Sequence, residues 1–156
     1  MIYLIALVTE ILLICADQWT KALALSQLKP TGGIPLIEGV FSLSYVENSG
    51  AAFGMLSGAR PFFWILTPIV IVVIGYYFYK MPRTTVYHWV RAALLLIAAG
   101  AAGNFIDRFL NGFVIDFLYF SLIDFPVFNV ADIYVVAGSF LLGVLVLFFV
   151  KEPSKE

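Results

Sequence analysis

The run ADIYVVAGSFLLGVLVLFFV, residues 131–150, carries one charge, Asp132, and then eighteen residues without another. A helix that is apolar all round belongs either in the core of a large protein or in a bilayer. Some 20 such residues are what crossing a hydrocarbon core requires, and a chain of 156 residues is too short to bury them otherwise. Moving outward, residues 90–109, 62–79 and 2–24 repeat the pattern, each long enough to span. Hydrophobic residues make up 62% of the chain and charged ones 12%, with a mean hydropathy of +1.00. Soluble domains carry about a quarter charged residues. The expected fold is a membrane all-α bundle of four transmembrane helices, forming one integral membrane domain over residues 1–156.

Composition also excludes several function classes. A net charge of −1 and the lack of a basic stripe exclude a nucleic-acid partner. Cys15 lies inside an apolar run and reads as helix packing, while His88 stands in a polar loop, so neither a thiol nucleophile nor a zinc site has its partners. A serine nucleophile lacks a base other than Lys21, and no phosphate-binding glycine loop is present. The first apolar segment is expected to be a retained helix rather than a cleaved leader. Nothing basic precedes it, Glu10 interrupts it, and Asp17 and Lys21 stand just before the small-residue triplet Ala22-Leu23-Ala24.

Lys and Arg set the expected orientation. Lys80, Arg83 and Arg91 cluster between the second and third spans, and Lys151 and Lys155 follow the fourth. By the positive-inside rule these regions, and both termini, are cytoplasmic. Arg60 and Arg108 sit at the ends of the opposite loops, among acidic neighbours. The segment joining the first two spans is long. It holds Gly32-Gly33, Pro35 and Gly39, then VFSLSYV at residues 40–46, which alternates as a half-buried strand does. The reading is a small extracytoplasmic β-sheet over about residues 34–56, at the membrane surface. Its free edge offers backbone groups to an extended peptide; a plain structural loop is the other reading.

An ionisable group at membrane depth costs at least ~2.5 kcal/mol at the helix centre, so each one needs a partner or a task. Asp17 and Lys21 are spaced i, i+4 and read as an ion pair. The third span ends in AAGAAGNFIDR, residues 98–108, where small residues admit a neighbouring backbone. Asn104, Asp107 and Arg108 follow on one face, readable as a capping cluster or as a network bracing something else. Asp116 is a lone carboxylate in an apolar frame, GFVIDF at residues 112–117. Asn129 fits an N-cap, with Asp132 at the third helical position, where free N–H groups await acceptors. Asp116 and Asp132 also flank one loop. If a short return brings them together, burial and mutual repulsion split their titration, as a general acid–base dyad needs.

Five blocks, in order along nearly the whole chain, resemble the bacterial lipoprotein signal peptidases, or signal peptidase II: Asp17-Gln18 with Lys21; NSGAAFG at 48–54; GNFIDR at 103–108; VIDF at 114–117; and FNVAD at 128–132. The resemblance implies an aspartic peptidase with Asp116 and Asp132 as catalytic dyad, and no cofactor or metal. Asp17, Lys21, Asn48, Gly50, Asn104, Arg108, Asn129 and Ala131 would line or brace the site, with Asp107 in the same network. It implies cleavage of a prolipoprotein signal peptide just before a diacylglyceryl-modified cysteine, globomycin as inhibitor, membrane lipids as surroundings, and the bacterial cytoplasmic (inner) membrane as location. The active site would lie near the outer face. Two departures are Ile115, where valine is common, and Ile133-Tyr134, where small or hydroxyl residues are. The rival reading is a small proton-conducting or transporter subunit with Asp17, Asp107, Asp116 and Asp132 as a relay. A relay spreads its carboxylates through the membrane and goes with inverted repeats; three of these cluster at one loop and no repeat is evident. A non-catalytic scaffold is a third reading, one indifferent to replacing both Asp116 and Asp132.

Overall fold

The computed structural model describes residues 1–50 and 58–150. Residues 51–54 of the second motif block, the end of the expected sheet segment, and Lys151 and Lys155 lie outside the described residues. In chain order the elements are α1 (Ile2–Leu23), a π-helical turn (Ala24–Leu28), β1 (Ile34–Ile37), β2 (Phe41–Asn48), α2 (Arg60–Lys80), α3 (Thr85–Leu110), β3 (Val114–Tyr119), a 3-10 turn (Ser121–Ile123) and α4 (Val130–Phe148).

All four helices are long and apolar enough to cross a membrane. Long apolar side chains such as Leu4, Leu12, Val72 and Leu147 face outward on them, as suits a solvent of lipid tails. The helix α3 is the enclosed one, packed against α1, α2 and α4. It begins before its apolar run because Thr85–Trp89, polar and aromatic, continue the same helical turns.

Small residues explain the closeness of α3 and α4. Ala93 and Ala99 are fully buried, and a Cβ on Gly100 would collide with the Ala131 carbonyl. At one end of the bundle Val90, Leu94 and Leu145 form an apolar cluster with Ile74 and Leu142. Arg91, counted in the sequence among the loop charges, is buried in α3 here. Its guanidinium donates to the carbonyls of Phe78 (3.2 Å), Met81 (2.5 Å) and Pro82 (3.0 Å), closing off the end of α2.

The opposite end carries a three-stranded antiparallel sheet in the order β1-β2-β3. The sequence suggested a sheet confined to the connection between α1 and α2. Its third strand comes instead from the connection between α3 and α4. Val46 pairs with Asp116 and Asn48 with Val114, so the two connections are sewn together. The π-helical turn supports them from below: Ala24 and Leu28 pack with Ile115 and Phe117 in a second apolar cluster. Residue 128 returns to β3 through paired bonds, Phe128 N–H to the Leu118 carbonyl (3.0 Å) and Leu118 N–H to the Phe128 carbonyl (2.8 Å).

Candidate active site

That return places the start of α4 beside β3. Asn129 caps α4: its Oδ1 accepts the Asp132 N–H (3.0 Å), and Asp132 Oδ2 accepts the Asn129 N–H (3.1 Å). Such a reciprocal capping box satisfies two backbone donors that a helix start otherwise leaves free. It also aims the other oxygen of Asp132 away from the helix. Oδ1 accepts from Asn104 Nδ2 at 2.8 Å. Capping and a place at the site are therefore compatible roles for one carboxylate.

Asp116, on β3, is held in the same manner. Asn129 Nδ2 donates to its Oδ1 (2.6 Å) and Asn48 Nδ2 to its Oδ2 (2.9 Å). Burial pushes the Asp116 carboxyl up to about 6, against the lowering by the Asn48 bond; the nearby charge of Asp132 adds to the rise. Both aspartates line one open cleft of about 1020 Å³. Asn48, Gly50, Asn104 and Arg108 share its polar wall, and Val136, Ala137 and Phe140 continue it as an apolar track down α4.

Behind the cleft lies a fully buried ionic cluster. The Lys21 ammonium meets Asp17 Oδ2 (2.9 Å), Asp107 Oδ2 (3.0 Å) and Asn104 Oδ1 (2.9 Å), spending its three protons on three oxygens. Asp17 Oδ1 accepts the Ala131 N–H (2.9 Å) and Asp107 Oδ2 the Ile115 N–H (3.2 Å). The cluster thus joins α1, α3, β3 and α4. It also fixes the amide of Asn104: the oxygen faces Lys21 and Asn129 (3.1 Å), so the nitrogen faces Asp132.

Asn104, Asp107 and Arg108 divide between the buried cluster and the cleft, with Asn104 belonging to both. Asp107 turns back to α1, whereas Asn104 and Arg108 look into the cleft. Arg108 donates to the Gly50 carbonyl (2.7 Å) and lies 4.3 Å from the centre of the Phe63 ring. Gly50 N–H in turn binds Asn48 Oδ1 (2.9 Å), which orients the Asn48 amide toward Asp116. Ile133, one of the two departures, lines the cleft beside Asp132; Tyr134 does not.

Gln18, quoted in the first motif block, was given no role of its own in the sequence. Gln18 Nε2 reaches Asp17 Oδ2 (3.2 Å), the Gly103 carbonyl (3.2 Å) and Asp107 Oδ1 (3.1 Å), cross-linking α1 to α3. Its place between Asp17 and Lys21 in an apolar helix was the available signal.

The family profile described as Signal peptidase (SPase) II matches residues 9–148. The chain belongs to the signal peptidase II family. It is 44% identical over 144 residues to the lipoprotein signal peptidase of Caldanaerobacter subterraneus subsp. tengcongensis, covering 92% of this chain and 96% of that one. To the lipoprotein signal peptidase of Clostridioides difficile it is 42% identical over 139 residues, 89% and 92% of the two chains. A solved structure described as a bacterial membrane enzyme, determined by the in meso method at 2.3 Å, is similar with a TM-score of 0.85 and 32% identity. That similarity covers 97% of this chain and 94% of the other. Signal peptidase II is a membrane protease, and this member of its family is a multi-pass membrane protein with four apolar helices and a small sheet.

Proposed function

We propose that the chain is an intramembrane aspartic endopeptidase. It removes the signal peptide from diacylglyceryl-modified prolipoproteins by cutting just before the lipidated cysteine. The observation that carries this reading is the convergence of Asp116 and Asp132 on one cleft, each carboxylate held by two nitrogen donors. Amide donors hold both groups, while the nearby cations are directed to other acceptors, Lys21 to Asp17, Asp107 and Asn104 and Arg108 to the Gly50 carbonyl. The relatives, named lipoprotein signal peptidases, supply the substrate class.

The mechanism needs one proton on the dyad. Asp116, desolvated and repelled by Asp132, bears it. Asp132 takes a proton from water as the hydroxyl oxygen attacks the scissile carbonyl carbon, while Asp116 protonates the carbonyl oxygen. On collapse of the diol the C–N bond breaks. The leaving nitrogen takes the proton held by Asp132, and Asp116 recovers its own from the hydroxyl that becomes the new carboxyl. Protons balance, and no covalent enzyme intermediate forms. The apolar track along α4 would receive the signal sequence and the lipid tails. By the charge rule the sheet end faces outward, with both termini inside, in the cytoplasmic (inner) membrane, and globomycin would compete for the cleft.

Purified protein in detergent micelles, offered a lipidated precursor and its unlipidated twin, tests the reading by mass shift. Cleavage of the lipidated form alone, blocked by globomycin and indifferent to EDTA, is the expected outcome. Asp116→Asn and Asp132→Asn, inserted and folded as the parent, should each lose 10³-fold or more in rate, on the order of a lost catalytic group. Parental processing by either variant would remove the dyad.

A further inference from the structure

Strand β1 has the sequence Ile-Pro-Leu-Ile, and all four residues are exposed. Among the described residues it is the free edge of the sheet, paired with β2 alone. An exposed apolar edge in water invites pairing with another chain, and proteins blunt such edges with brevity, proline and bulges. This edge has all three devices: four residues, Pro35 without an N–H, and a register shift between Pro35 and Ile37. Its backbone is thus protected against strand addition while its side chains stay apolar. That combination suits a fluid apolar surface, not a second strand.

The neighbourhood extends the patch. Leu122 donates its N–H to the Val40 carbonyl (3.3 Å), which sets the 3-10 turn beside the β1–β2 turn, and Leu122 and Ile123 are both exposed there. On the other side, Ile34 and Leu43 share a mainly apolar notch of about 200 Å³ with Leu23 at the end of α1 and Leu28 of the π-helical turn, Thr20 and Gln27 being its polar lining. The surface therefore runs without a break from the lipid-facing helix α1 onto the sheet. Gly33 permits this closeness: its φ is +131°, and a Cβ there would strike the Leu43 carbonyl.

We propose that β1 lies in the interface of the bilayer leaflet on the sheet's side, and that the notch behind it holds the acyl chain of a membrane lipid. At headgroup depth the few unpaired backbone groups of a short edge still meet water, whereas deeper they would not. Ile34, Leu36, Ile37, Leu122 and Ile123 would dip below that level. This proposal rests on the membrane crossing of the helices and is independent of the peptidase chemistry.

Single cysteines at Leu36, Ile37 and Glu38, in a Cys15→Ser background, would carry an environment-sensitive fluorophore in phosphatidylcholine–phosphatidylglycerol vesicles. A fourth at Ile34 reports on the notch, and a fifth at Leu12 serves as the mid-membrane reference. Labels at 36 and 37 should be blue-shifted relative to 38, and quenched at least twofold more by lipids with a nitroxide on carbon 5 than by aqueous iodide. The label at 34 should be quenched by chain-attached and not by headgroup-attached nitroxide. Iodide-dominated quenching at 34, 36 and 37 would overturn the proposal. Quenching that depends on the protein-to-lipid ratio would do so too, because a second copy would then cover the edge.

Discussion

Asn129 serves both aspartates with one fully buried side chain. It donates to Asp116 and to Asn104 while its oxygen caps α4 through Asp132. Its two functions can be separated. Asn129→Ser retains an N-cap oxygen but loses the amide donor, so helix stability should fall by no more than a few tenths of a kcal/mol. Peptidase activity should nonetheless fall tenfold or more. Asn129→Ala should lose both activity and ~1–2 kcal/mol in thermal unfolding. Equal activity in the Ser variant and the parent would show that the amide does not orient Asp116. The pH profile belongs to this scale as well. With Asp116 raised to about 6, the singly protonated dyad is lost as pH climbs through that value, so kcat/KM should fall on the alkaline side. The folded value lies above that of a free aspartate, so this group's contribution to stability is complete at acid pH and is lost through the same window. The Asn48 bond lowers the Asp116 value, so Asn48→Ala should move the alkaline limb to higher pH. A limb that stays put would mean that Asp116 is not the group seen.

Among the elements, α3 tolerates its neighbours only because of its glycines. A Cβ at Gly103 would run into the Asp17 carboxylate, whereas one at Gly143 of α4 meets nothing within 4 Å. Gly103→Ala should therefore cost ~1–3 kcal/mol in overpacking and push α1 away, while Gly143→Ala should cost nothing. Thermal unfolding of the pair in one detergent decides it, and equal loss in both would show that the close approach is not what matters. The sequence made the helices legible because long runs without charge have only one solvent. The same runs announced Asp17, Lys21 and Asp132 as anomalies. Strand β3 was not legible: Val114–Phe117 are buried on both faces, so no alternation marks them as a strand. Its partner β2 lies some seventy residues earlier, and no local pattern records that pairing. The direction of Asp107, toward Lys21 and away from Arg108, depends on how α1 and α3 meet, which helical spacing does not reveal.

For the whole molecule, the two ends of the bundle are held by different means. One is closed by apolar packing and the carbonyl bonds of Arg91; the other depends on a buried cation shared by two carboxylates. The second arrangement joins α1, α3 and, through the Ala131 N–H, α4, so the positions of both cleft aspartates depend on it. Desolvating three charges is costly, and what offsets that cost is completeness of pairing. Lys21 is 2% exposed and Asp17 0%, so neither finds water if its partner is lost. Lys21→Met would leave two carboxylates facing each other without a cation and should cost ~3–5 kcal/mol. Adding Asp107→Asn removes one of them, and the double variant should then be less destabilised than the sum of the singles by ~1 kcal/mol or more. Circular dichroism melts of the four proteins in the same micelle give the cycle directly. Strict additivity would mean that Lys21 and Asp107 are held by the surrounding helices rather than by each other, and the sheet end would then owe its geometry to packing alone.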